Sequence, residues 1–98
     1  MIKVVINKNK IEITGHAGYD DYGKDIVCAS VSSIVITTIN NVLDIDEDSI
    51  LYEDNDNKIK IEIKKDDEIV NKLINNMVLL LENLEKDYPK NIKILRRK

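Results

Sequence analysis

"KIKIEIK" occupies residues 58–64, and its alternation decides the architecture. Successive side chains of a strand point to opposite faces, so Ile59, Ile61 and Ile63 share one side and Lys60, Glu62 and Lys64 the other. Such a strand has one face for a core and one for water. The sheet it joins is therefore covered on a single side. "ILYE" (residues 50–53) precedes it across the polar turn "DNDN" (residues 54–57), which makes a hairpin.

Working outward, "IKVVIN" (residues 2–7) and "IEITG" (residues 11–15) are β-branched runs joined by "KNK", a second hairpin. "NIKIL" (residues 91–95), after Pro89, supplies a fifth strand. Between the hairpins lies "IVCASVSSIVITTINNVL" (residues 26–43), of helical length, with Asp25 placed to cap it, so the first helix is expected over about 25–43. A second helix over about 66–86 puts Val70, Leu73, Ile74, Met77, Leu80, Leu81 and Leu84 on one stripe.

The order β-β-α-β-β-α-β predicts one α+β domain over residues 1–98. It has two layers, a mixed or antiparallel sheet with both helices on its apolar face. The first helix is apolar nearly all round through Ile36, more than one sheet contact needs, so the second helix or a second subunit must cover its flank. A homodimer is the expectation.

Composition narrows the function. The chain is 98 residues long, 43% hydrophobic and 34% charged, with a formal net charge of -3. An acidic balance argues against direct nucleic-acid binding, which needs a basic face against phosphates. The basic end "KILRRK" (residues 93–98) is too short to change that. A lone cysteine, a start without a signal-peptide core and no apolar run of membrane-spanning length point to the cytoplasm and away from a membrane. Heavy use of Ile, Asn and Lys resembles the codon bias of an AT-rich genome and hints at a bacterial source.

"GHAGYDDYGKDIVCAS" (residues 15–30) gathers the single histidine, His16, the single cysteine, Cys28, and all three glycines, Gly15, Gly18 and Gly23. His16 ends the second strand and Cys28 falls in the first turn of the first helix. The N–H groups and macrodipole of a helix start stabilise negative charge by about 0.3–1 kcal/mol, which favours a thiolate. Asp20, Asp21 and Asp25 oppose this if they face the sulfur. Glycines at positive φ allow a substrate backbone to approach and a loop to move. Each piece also has a plain structural role, as core thiol, strand-end imidazole or turn glycine. Together they make a cysteine–histidine pair suited to acyl transfer, with helix N-terminal amides to receive the oxyanion.

The stretch resembles the ribosomal-processing cysteine protease family, Prp. The resemblance rests on "GHAGY" (residues 15–19), Gly23, "DIVCAS" (residues 25–30) and "VS" (residues 31–32), with Ser30 where a second alanine is usual. The length and strand–helix order of the family also fit this chain. The resemblance implies a homodimeric bacterial endopeptidase that removes the N-terminal extension of a large-subunit ribosomal protein, its precursor being the peptide substrate. It implies Cys28 as nucleophile and His16 as base. Asp25 is either a third member orienting His16 or the helix cap. Ser32, one turn after Cys28, either donates into the site or bonds back to the helix.

Other chemistries fit less well. "GYDDYGKD" (residues 18–25) nearly spells a phosphate-binding loop, but it ends in Asp25 and carries Asp20 and Asp21 where phosphates would lie. "DIDED" (residues 44–48) starts like a calcium loop, yet Ser49 replaces the required glycine and Asn55 the closing glutamate. One histidine and one cysteine do not make a zinc site, and no metal or cofactor is expected. The rival readings are a non-catalytic ribosome-associated binding module and a thiol hydrolase or acyltransferase acting on a small molecule.

Overall fold

The computed structural model describes residues 1–16, 18–21, 24–55 and 57–97. Its elements are β1 (Ile2–Ile6), β2 (Lys10–Thr14), α1 (Ile26–Ile45), β3 (Ile50–Asn55), β4 (Lys58–Ile63), α2 (Glu68–Asp87) and β5 (Ile92–Arg96). The strands form one five-stranded sheet in the order β3-β4-β2-β1-β5. Both hairpins pair antiparallel and join through β2 and β4, and β5 returns by way of α2 to lie parallel to β1. The sheet is thus mixed, in an α+β fold.

The register puts the apolar residues in rows. Val4 faces Ile13 on one side and Ile94 on the other, Ile11 faces Ile61, and Ile50 faces Ile63. These side chains meet Val27, Val31, Val35, Ile39 and Val42 of α1 and Val70, Ile74, Met77 and Leu81 of α2 in one buried cluster. Spacings of three and four residues keep each set on one helix stripe. Burying one such side chain fully is worth about 1.5–3 kcal/mol. On the opposite face charges stand across from one another, Glu12 beside Lys60 and Lys10 beside Glu62.

Several expectations shift by a residue or two, and two change in substance. Leu80 is 41% exposed and Val78 is buried in its place. The stripe of α2 is turned toward Val78 because the helix must face both the sheet and α1. Second, α1 does reach the length and apolar character of a membrane span, contrary to the sequence expectation. One stripe of that helix, Val27, Val31, Val35, Ile39 and Val42, lies in the core, while its apolar Ile26, Ile36 and Ile45 are exposed.

The open edge at β5 is tied down from α2. The Ile94 N–H donates to Glu85 Oε2 at 2.7 Å, and Arg96 pairs with Glu82 at 3.1 Å. A side chain that takes an outward N–H blunts a strand edge against further pairing.

Candidate active site

Register decides where the site forms. Thr14 lies opposite Lys58, and Lys58 opposite Asn55, so the exit of β2 runs beside the end of the β3–β4 hairpin. Gly15 is next along the chain at φ +88, and a Cβ there would run into the Met1 carbonyl oxygen. Only glycine lets the main chain turn this close to β1. His16, directly after it, is exposed. Gly18 has φ +68, and a Cβ added there would meet nothing within 4 Å. Gly23 and Tyr22 lie outside the described residues.

Asp25 ties the loop to the first helix. Its Oδ1 accepts from the Val27 and Cys28 N–H groups, each at 3.0 Å, which makes it the N-cap of α1. Its Oδ2 accepts from the Tyr19 N–H at 3.0 Å and the Asp20 N–H at 3.3 Å. Burial raises the carboxyl's pKa, but these four donors outweigh it and hold Asp25 below the usual carboxylate range. Of the two roles the sequence leaves open for Asp25, these bonds are those of the cap. They also occupy the Val27 and Cys28 amides, and the Ala29 N–H bonds the Asp25 carbonyl at 3.0 Å. Of the first-turn amides expected to receive an oxyanion, those of Val27 and Cys28 are thus engaged by the cap.

Cys28 is half-buried, in the first turn of α1. It lines a cavity of about 640 Å³, a size suited to a small ligand or part of a peptide. One wall carries His16 and Asp20, a second Cys28 and Ser32, and a third Asp54 and Lys58 from the β3–β4 hairpin. Isoleucines of β1 and β2 contribute apolar lining. Gly15, Gly18 and Asp25 border the same space, so all the described candidates meet in one place. The Lys58 ammonium is paired with Glu12 at 3.0 Å, which leaves the acidic groups dominant along the rim. Among the described residues, the α1 hydroxyls that bond back to the helix are those of Ser30 and Thr38. Among those residues, no group of three or more His, Cys, Asp or Glu converges as a metal would need.

Sequence reasoning missed the third wall. Asp54 and Lys58 are far from Cys28 along the chain, and only the pairing of β4 with β2 brings them to the cavity. It also missed a ring contact. Tyr19 meets Tyr88 edge to face, with centroids 5.3 Å apart and planes at 85°. No local signal marks either.

The family model for cysteine protease Prp matches residues 1–93. A ribosomal processing cysteine protease Prp of Bacillus subtilis (strain 168) is 32% identical over 93 residues, covering 85% of this chain and 80% of the relative. The protein of that name from Staphylococcus aureus (strain Mu50) is 28% identical over 83 residues, covering 82% and 78%. Among solved structures, the essential ribosomal processing protease Prp from S. aureus, in complex with a covalently linked product peptide, has the same fold. It superposes with a TM-score of 0.94 at 23% identity, covering 99% of this chain and 100% of that one. A Streptococcus mutans protein of known structure aligns at 29% identity with a TM-score of 0.71, covering 98% and 93%.

Proposed function

The chain belongs to the cysteine protease Prp family, and from that premise we propose that it is the cytoplasmic endopeptidase that removes the N-terminal extension from a large-subunit ribosomal protein precursor. Cys28 is the nucleophile and His16 the general base. The observation that carries this assignment is that both residues line one cavity, Cys28 from the start of α1 and His16 from the adjoining loop. The names of the curated relatives support the substrate class.

In the first half-reaction the imidazole of His16 takes the Sγ proton, and the thiolate adds to the scissile carbonyl carbon. Collapse of the tetrahedral adduct breaks the C–N bond, leaves a thioester on Cys28, and releases the amine with the proton held by His16. In the second, His16 takes a proton from water, whose oxygen adds to the thioester. Sγ then departs and regains its proton from His16. Asp25 holds the Val27 and Cys28 amides, and the Ser32 hydroxyl, on the next turn and lining the same cavity as Cys28, is assigned as a donor to the oxyanion. Asp25 fixes the start of the helix to the loop, and Gly15 and Gly18, both at positive φ, give the loop its shape around the substrate.

A homodimer belongs to the same reading. Ile26 and Leu80, 50% and 41% exposed, flank a groove between α1 and α2 that a second copy would cover. Light scattering on wild type and on Ile26→Arg tests it, with a monomeric variant as the expected result.

The deciding experiment incubates the ribosomal protein precursor with wild type, Cys28→Ala and His16→Ala and reads intact mass. One cut near the N-terminus by wild type, absent in Cys28→Ala, is expected. A precursor bound but left whole by wild type favours a binding module. An intact precursor beside turnover of small thioesters favours a thiol hydrolase.

A further inference from the structure

We propose that Tyr88, at the end of α2, is a positioning residue for this protease site: it is the platform that holds Tyr19 and through it the loop wall of the cavity. The inference rests on the protease reading and concerns a residue outside the catalytic pair. Tyr88 is itself firmly held. It is the C-cap of α2, and its N–H donates to the Leu84 carbonyl at 2.9 Å. Its own carbonyl accepts from Asn91 at 2.9 Å and Ile92 at 3.2 Å, and its side chain packs against the core. The Tyr19 ring meets it edge to face, a favourable arrangement for two aromatic quadrupoles.

The loop therefore has two independent tethers. Asp25 on α1 holds the Tyr19 and Asp20 amides, and Tyr88 on α2 holds the Tyr19 ring. Gly18 and Asp20, the neighbours of Tyr19 on either side, both line the cavity. Gly18 offers no restraint of its own, since it has positive φ and nothing within 4 Å of a would-be Cβ. Where the wall stands is thus set from outside the loop. Tyr19 is 48% exposed, so losing the ring contact shifts the wall without removing much of the core.

The test uses the full chain in four forms: Tyr88→Ala, Tyr88→Phe, Tyr19→Ala and the double alanine variant. Two readouts are taken, hydrogen exchange at the Tyr19 and Asp20 amides, and kcat and KM on a peptide from the precursor's N-terminus. Tyr88→Ala is expected to speed exchange at those amides by roughly two- to tenfold and to lower kcat/KM by a like factor, mainly through KM. Tyr88→Phe, which keeps the ring, restores both. The double variant behaves as either single one, because each removes the same contact. Unchanged exchange in Tyr88→Ala overturns the tether, as do single effects that multiply in the double variant. Faster exchange with kcat/KM within twofold of wild type overturns the positioning role alone. A wild-type protein that leaves the peptide whole overturns the protease reading, and the positioning role with it.

Discussion

Gly15→Ala puts the geometry around the site to its most direct test. At φ +88 an L side chain is strained, at a cost of about 1–2 kcal/mol. The added Cβ would also meet the Met1 carbonyl oxygen, an atom of the main chain. Met1 cannot swing clear, because Ile2 beside it is buried and its N–H bonds the Asn91 carbonyl at 2.8 Å. Making room by shifting β1 resembles overpacking a core, which costs about 1–3 kcal/mol. The two together come to roughly 2–5 kcal/mol, a large part of the 5–15 kcal/mol that holds a domain folded. In a chain of 98 residues this lowers Tm by roughly 10–30 °C. Gly18→Ala carries the strain without the clash, since nothing lies within 4 Å, and is expected to lose only about 1–2 kcal/mol. Urea and thermal unfolding followed by circular dichroism measure both. Equal midpoints for the two variants would refute the argument from Met1.

Acid should destabilise the fold in a defined window. Burial works against the ionised Asp25, but its four backbone donors prevail, and hydrogen bonds from Lys58 and Lys65 lower Glu12 and Asp46. A carboxyl whose folded pKa lies below its unfolded value contributes fully above about pH 4 and loses that contribution as pH falls through the folded value. The urea midpoint is therefore expected to be flat near pH 5–6 and to drop below about pH 4, less steeply in Asp25→Asn. A midpoint that rises on acidification would contradict this. On α2, Leu81→Ala removes a fully buried side chain and is expected to cost about 2–5 kcal/mol in urea unfolding. Leu79→Ala, at a position 54% exposed, should stay within about 0.5 kcal/mol of wild type.

Much of the fold is legible before any coordinates. Period-two alternation in residues 58–64 forces a one-sided sheet, and the cap Asp25 marks where the first helix can start. These are local signals, fixed by side-chain direction and by the unpaired amides of a helix end. The turn of α2 is different. Leu80 and Val78 are both apolar and both near the stripe, and the partner surface chooses between them.

For the site, the sequence by itself determined which chemistry is available: a scarce thiol at a helix start, a scarce imidazole after a strand, and glycines between them. It did not determine what faces that chemistry. Strand order is a long-range choice, so only the tertiary structure brings Asp54 and Lys58 across from Cys28 and lays Tyr19 on Tyr88. It alone shows that the Asp25 carboxylate is saturated by four N–H groups, because hydrogen bonds to a folded loop depend on where the loop lies and not on its residue types.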